Sequence, residues 1–166
     1  MVFSSLDKRS VKFILKQLKN RGLTLGVAES CTGGLISKII TDSPGSSDVF
    51  KGGIVSYSNK VKENNLEISR DKLKKYGAVS KEVSEEMCRK VSKILDVDIS
   101  ISCTGISGPS GGSKNKPVGL VFISVKYQDS IYTKKFNFLG DRENHRNLTA
   151  NSALNMLRLI LSGKWT

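Results

Sequence analysis

A serine, Ser30, lies where the sequence changes from a strand pattern to a helix pattern. Residues 23–28 are mostly apolar and predict a buried strand, whereas residues 35–40 predict a helix. Backbone N–H groups at the start of a helix lack partners and carry the positive end of its dipole. We expect the first helical residues to be Thr32, Gly33 and Gly34. The turn therefore predicts either a nucleophile beside an oxyanion-binding site or a Ser-capped helix without chemistry.

A nucleophilic serine needs a base, and two residues compete for that role. Lys62 follows a Ser58–Asn59 helix cap by about one turn, where burial and the helix dipole would lower the pKa of its amine. A neutral amine can take the proton of Ser30, as in Ser–Lys hydrolases. Alternatively, Lys62 is one surface lysine among many. The only histidine, His145, stands among charged residues and is expected at the surface.

Two further residues leave alternatives open. Cys31 is a rival nucleophile, because a helix N-terminus lowers the pKa of a thiol. Only one of the adjacent Ser30 and Cys31 side chains can easily face a cleft. Tyr57 ends a predicted strand just before the Lys62 helix, so it can hold Lys62, stack on a planar ring or be an ordinary strand aromatic.

The glycine-rich loop, residues 104–117, follows a third predicted strand and predicts a substrate loop or lid. It does not match the P-loop pattern, so a plain connection is the alternative. Arg142 opens the last predicted helix and is a candidate anion partner or a surface cap. The candidate substrate-binding residues in the loop are Thr104, Gly105 and Gly108.

Helices and strands alternate along the chain, except for a late hairpin over residues 118–138. The first helix is predicted from an apolar stripe that begins at Leu6. This order predicts one α/β domain over residues 1–166, a three-layer α/β/α fold with a mixed sheet of about five strands. Ligands bind at the carboxyl ends of parallel strands, so the Ser30 turn, residues 57–62 and the glycine-rich loop should meet at one sheet edge.

Composition limits the class of protein. The chain has 166 residues and a net charge of +12 that comes mostly from lysine. Because arginine is scarce and aromatic residues are not interleaved with the charge, we expect mainly a solvated lysine-rich surface, with some bias toward phosphate-bearing ligands and with nucleic-acid binding as the alternative. No signal peptide or membrane-spanning apolar run is found, and three unpaired cysteines favour a cytoplasmic location without a disulfide framework or metal site.

Six motifs then occur in a fixed order and together resemble one family. They are Ala28-Glu-Ser-Cys-Thr-Gly-Gly, Gly53-Ile-Val-Ser-Tyr-Ser-Asn with Lys62, Tyr76-Gly-Ala-Val-Ser, Thr104-Gly-Ile-Ser-Gly-Pro, Lys116-Pro-Val-Gly and Gly140-Asp-Arg. The chain closely resembles the CinA C-terminal domain family, also called nicotinamide-nucleotide amidohydrolase, from about residue 6 to residue 161. The resemblance implies a fold similar to the anticodon-binding-domain-like α/β/α fold. It also implies hydrolysis of nicotinamide mononucleotide to nicotinate mononucleotide and ammonia, in pyridine-nucleotide salvage.

The resemblance also implies residue roles. It makes Ser30 the nucleophile, places Tyr57 and Lys62 in the catalytic motif, and brings in Arg142 from the Gly-Asp-Arg motif. The family usually has an acid in the loop where this chain has Ser110, which removes one ligand or lid contact. The large N-terminal CinA domain has no counterpart here, so we expect a stand-alone form.

The expected partners are a small-molecule nucleotide substrate and further copies of the chain, in a dimer or larger homo-oligomer. No cofactor, metal or membrane is expected. The alternatives are a non-catalytic nucleotide-binding module and, less favoured, a basic nucleic-acid-binding protein of competence or damage response.

Overall fold

The computed structural model describes residues 8–165. The helices are α1 (Lys8–Asn20), α2 (Leu35–Thr41), α3 (Asn59–Leu66), α4 (Arg70–Tyr76), α5 (Lys81–Ile94) and α6 (Arg142–Leu161). The strands are β1 (Leu25–Glu29), β2 (Phe50–Val55), β3 (Ile99–Gly105), β4 (Leu120–Tyr127) and β5 (Ser130–Asn137), and a short 3-10 turn covers Ser46–Asp48. Leu6, placed in the first predicted helix, lies outside the described residues.

The strands form one mixed sheet in the order β2-β1-β3-β4-β5. β1 runs parallel to both of its neighbours, whereas β4 pairs antiparallel with β3 and β5. Helices α1, α2 and α6 pack on one face, and α3, α4 and α5 pack on the other. Val27 and Ala28 of β1 belong to different cores, because alternate side chains of a strand point to opposite faces. The predicted three-layer α/β/α fold is confirmed.

The sheet register brings the carboxyl ends of the three parallel strands together. Glu29, the last residue of β1, pairs with Val55 at the end of β2 and with Cys103 near the end of β3. The Ser30 turn, residues 56–62 and the glycine-rich loop therefore leave the sheet at the same edge, as predicted. The Ser58 cap is also confirmed, since its hydroxyl accepts a hydrogen bond from the N–H of Val61.

Two predicted boundaries are wrong. Helix α2 begins at Leu35 rather than at Thr32, because Gly33 and Gly34 have φ angles of 60° and 97°. These left-handed conformations suit glycine and end the strand in a tight turn before the helix can start. Thr104 and Gly105 belong to the end of β3 rather than to an irregular connection.

Candidate active site

Ser30 and Lys62 form a hydrogen-bonded pair where β1 and α3 meet. Lys62 Nζ lies 2.9 Å from Ser30 Oγ, and Nζ also donates to the carbonyl oxygen of Ser56. Lys62 is only 1% exposed although it carries an amine, and Ser30 is nearly buried. The alternative that Lys62 is a solvated surface lysine is therefore wrong.

Burial disfavours the charged form of the Lys62 amine. It lowers the pKa of Lys62 to about 8, although the nearby Cys103 and Cys31 thiols partly oppose this shift. At a pKa of about 8, roughly a tenth of the molecules carry a neutral amine at pH 7 and about half carry it at pH 8. With one N–H directed at Ser56 O, the Nζ lone pair is free to accept the proton of Ser30.

The rival nucleophile Cys31 is less suited to react. Its side chain lies in the apolar core with α1, α2 and α6. The neighbouring thiol of Cys103 and burial raise the pKa of Cys31 well above its ordinary value. The expectation of a lowered thiol pKa at this position is wrong, because the hydrogen bond with the Cys103 thiol and the loss of solvent both disfavour the thiolate of Cys31.

The N-terminus of α2 is occupied by the carboxylate of Glu29, which sequence analysis did not assign. Its Oε2 accepts from the N–H groups of Gly34 and Ile36, both at 3.0 Å, and its Oε1 accepts from the N–H of Ser37 at 2.8 Å. The Thr32 hydroxyl donates to the same carboxylate at 2.6 Å. Glu29 is fully buried. Through these hydrogen bonds its carboxylate satisfies the unpaired N–H groups at the start of the helix and stabilises the turn that carries Ser30.

The expected anion-binding role is therefore wrong for Gly33 and Gly34, whose N–H groups already have partners. The N–H of Gly34 points to Glu29, and the N–H of Gly33 donates to the carbonyl oxygen of Ser30 at 3.1 Å. The N–H groups of Cys31 and Thr32, which directly follow Ser30, donate to no backbone carbonyl within residues 8–165. Because Thr32 is fully buried, the N–H of Cys31 is the donor of the turn that is left for a ligand.

Ser30 opens into a cavity of about 280 Å³. The structure brings part of the predicted site together around it, and the lining includes Ser30, Cys31, Tyr57, Gly105, Gly108, Ser110 and Arg142. Thr32, Gly33, Gly34 and Thr104 do not line it. Thr104 is buried instead, and its hydroxyl donates to the carbonyl oxygen of Ala78 at 2.8 Å.

Arg142 joins two walls of the cavity. Its Nη2 donates to the hydroxyl of Tyr57 at 2.7 Å, and its Nη1 donates to the carbonyl oxygen of Gly108 at 2.9 Å. The Tyr57 hydroxyl is therefore directed to Arg142 rather than to Lys62, while the Tyr57 side chain stays 58% exposed. Arg142 is the only charged residue in the described lining of the cavity, and Ser110 contributes a hydroxyl to it.

His145 is not at the surface, contrary to expectation. It is buried in the second turn of α6, and its Nδ1 lies 2.9 Å from the carbonyl oxygen of Ser107. The next residue, Arg146, donates from Nη2 to the carbonyl oxygen of Thr32 at 2.8 Å. Helix α6 therefore contacts both the glycine-rich loop and the turn that carries Ser30.

Metal sites and membrane-spanning helices are two further features that the residues of this part of the chain could form. Within residues 8–165, no group of three or more His, Cys, Asp or Glu side chains is arranged to hold a metal ion. Among the described helices, none combines the length and apolar character needed to span a bilayer.

Comparison with known proteins places this geometry in a family. The family model for the CinA C-terminal domain matches residues 7–161. A CinA-like protein of Thermotoga maritima is 46% identical over 158 residues, which cover 95% of this chain and 38% of the relative. A CinA-like protein of Prochlorococcus marinus is 52% identical, over 96% of this chain and 38% of that relative. The chain thus spans well under half the length of these curated relatives.

Two solved structures share the fold over nearly their whole length. The competence/damage inducible protein CihA from Agrobacterium tumefaciens has a TM-score of 0.89 and 33% identity, covering 93% of this chain and 94% of its own. A CinA superfamily protein from Klebsiella pneumoniae has a TM-score of 0.90 and 28% identity, covering 95% and 98%. Fold, motif order and overall similarity agree, and the chain belongs to the CinA C-terminal domain family.

Proposed function

We propose that this protein is a Ser–Lys amidohydrolase that converts nicotinamide mononucleotide to nicotinate mononucleotide and ammonia. The observation that carries the proposal is the 2.9 Å contact between Ser30 Oγ and a buried Lys62 amine whose pKa is about 8. A base must be within hydrogen-bond reach of the proton that it removes, and its pKa must lie near the working pH. The Ser30–Lys62 pair meets both conditions.

In the proposed first step, neutral Lys62 takes the hydroxyl proton of Ser30 while Oγ attacks the carboxamide carbon. The negative charge that develops on the amide oxygen is held by the N–H group of Cys31, which lines the cavity next to Ser30. Lys62 then returns the proton to the amide nitrogen, and the carbon–nitrogen bond breaks to release ammonia. The product of this step is an ester between Ser30 and the nicotinoyl group.

In the second step, water takes the place vacated by ammonia. Lys62 removes a proton from this water, whose oxygen attacks the ester carbon, and then returns the proton to Ser30 as the ester bond breaks. The acid leaves as the carboxylate after giving its remaining proton to solvent, and the Ser30–Lys62 pair is restored. Apart from the substrate and water, the steps use only groups of the chain.

The cavity suits an anionic nucleotide with a flat ring. Arg142 uses two of its five N–H donors on Tyr57 and Gly108, so others are left for a phosphate. The exposed Tyr57 side chain offers a face on which a pyridinium ring can stack. The net charge of +12 favours the approach of an anion as well.

Two other functions make different predictions. A non-catalytic nucleotide-binding module would need the same Arg142 and Tyr57 but would not need a depressed pKa at Lys62. The names of the solved relatives refer to competence and damage, and the basic charge admits nucleic-acid binding. The buried Lys62 favours the enzyme over both, because neither alternative uses an amine sealed from solvent.

The test is ammonia release from a panel of amidated compounds at equal concentration. The panel contains nicotinamide, its riboside, nicotinamide mononucleotide and the dinucleotide. We expect nicotinamide mononucleotide to give the highest kcat/KM, because its phosphate can reach Arg142. Binding of nicotinamide mononucleotide without ammonia release would favour the non-catalytic module and overturn the proposal.

A further inference from the structure

His145 is a buried polar residue that the proposed reaction does not use. It is 2% exposed, and its Nδ1 lies 2.9 Å from the carbonyl oxygen of Ser107. Since a carbonyl oxygen can only accept, Nδ1 carries the proton in this contact. Nε2 has no hydrogen-bond partner among the described residues, so within residues 8–165 the imidazole ring is hydrogen-bonded only to Ser107.

Ser107 directly follows the backbone hydrogen bonds that fix the start of the glycine-rich loop. Just before it, the N–H of Ile106 donates to Leu120 O at 2.9 Å, and the N–H of Gly119 donates to Ile106 O at 2.7 Å. Ser107 and the next residue, Gly108, line the cavity, whereas residues 109–115 are exposed. The contact of His145 with Ser107, beside the contact of Arg142 with the Gly108 carbonyl, therefore holds the last buried part of the loop.

The same helix turn holds the opposite side of the cavity. Arg146, next to His145 in α6, donates to Thr32 O in the turn that carries Ser30. Because adjacent residues of a helix have a fixed separation, these two contacts set the distance between the loop and the Ser30 turn. If the His145 contact is lost, helix α6 no longer fixes the position of Ser107 relative to Ser30.

We propose that His145 is a positioning residue, which holds the Ser107 carbonyl and so keeps the loop wall of the cavity in place for substrate. The kinetic side of this inference rests on the proposed amidohydrolase function. The reacting pair is held by β1 and α3, and not by the loop. Loss of the His145 contact should therefore weaken substrate binding much more than it slows the chemical step.

The test compares His145→Asn with His145→Leu, which have closely similar shapes. The Asn side-chain N–H₂ takes the place of Nδ1 and keeps the donor, whereas Leu removes it and leaves the Ser107 carbonyl unpaired. We expect His145→Leu to raise KM for nicotinamide mononucleotide about tenfold while kcat stays within about threefold. His145→Asn should stay within about threefold of the parent protein in both constants. An unchanged KM in His145→Leu, or an equal loss in His145→Asn, would overturn the proposal.

A second readout does not depend on activity. Lys114 is exposed in the loop and is a trypsin site, whereas Lys116 precedes Pro117 and resists cleavage. In the ligand-free protein, we expect trypsin to cut after Lys114 about fivefold faster in His145→Leu than in the parent or in His145→Asn. Equal cutting rates in all three proteins would contradict the positioning role. If the parent protein releases no ammonia from any nucleotide, the proposed function fails, and this comparison still decides the role of His145.

A third variant covers the case in which His145→Leu does not fold. His145→Gln carries its amide one bond further along the side chain, so its N–H₂ does not coincide with Nδ1. We expect His145→Gln to show the higher KM and the faster cut at Lys114, and His145→Asn to resemble the parent. Identical behaviour of the Asn and Gln variants would overturn the assignment of Nδ1 as the holding donor.

Discussion

Replacing Ser30 by alanine is expected to lower kcat for ammonia release from nicotinamide mononucleotide by about 10⁴-fold or more. The variant keeps Lys62, Tyr57 and Arg142, so it should still bind the nucleotide. No ester with Ser30 can form without Oγ. The other thiol or hydroxyl next to it in the cavity lining, that of Cys31, has a raised pKa and is a poor substitute. The measurement is single-turnover ammonia release, with nucleotide binding followed by calorimetry.

Cys31→Ala is the matched control, because Cys31 is adjacent in the same turn. We expect it to keep kcat within about threefold, since its thiol is buried in the core and has a raised pKa. Fragmentation mass spectrometry of the peptide that contains both residues, taken from a rapidly quenched reaction, should place the acyl group of the nucleotide on Ser30. An adduct on Cys31, or a dead Cys31→Ala protein that folds normally, would reassign the nucleophile.

Replacing Lys62 by methionine is expected to lower kcat by about 10³-fold, which is the usual contribution of a general base. Methionine fills a similar volume in the buried site but has no lone pair of comparable basicity. Lys62→Arg should be equally inactive, because a guanidinium stays protonated. The matched control is Lys60→Met, which changes an exposed lysine two residues earlier in α3 and should leave kcat unchanged.

The same substitution has an expected effect on stability. The folded protein holds Lys62 at a pKa of about 8, below the ordinary value of 10.5, so folding disfavours its charged form. The cost is fully present below about pH 8, where it amounts to about 3 kcal/mol, and it fades as the pH rises toward the unfolded pKa. Lys62→Met removes this cost but leaves Ser56 O without its donor. We therefore expect it to be no less stable than the parent at neutral pH, and to lose that advantage as the solution becomes alkaline.

The parts of the fold and site set by short-range patterns were predictable from the sequence. The apolar run before Ser30 and the helical pattern after it gave a strand-to-helix turn, and Ser58 gave the start of α3. Local propensity also placed Lys62 one turn into that helix. Burial of Lys62 was only one of two alternatives, because it depends on α3 packing against the end of β1, which no local pattern specifies.

The cap of α2 could not be predicted from the usual cap positions. Glu29 lies six residues before Leu35, the first residue of the helix, and reaches it only because Gly33 and Gly34 fold the chain back. An acid at that distance does not match the pattern of a side chain that caps the N–H three residues further on. The signal that was present is a buried-strand carboxylate followed by a double glycine.

The burial of His145 was hidden for a different reason. His145 shares a buried face of α6 with Thr149, Ser152 and Met156, at spacings of four, three and four residues. Three of these four residues are polar, so hydrophobic periodicity does not reveal the face. The charged neighbours Arg142 and Arg146 made the segment look solvated, although both use their charge on backbone carbonyl groups.

The most direct test of the Ser30–Lys62 assignment is the pH dependence of kcat/KM for the unmodified protein. If neutral Lys62 is the base, kcat/KM should rise about tenfold per pH unit on the acid side and level off above an inflection near the Lys62 pKa of about 8. The sign follows from the chemistry, since activity requires the amine to lose its proton. A profile that is flat through that pKa, or that falls as the pH rises through it, would contradict a mechanism in which Lys62 deprotonates Ser30.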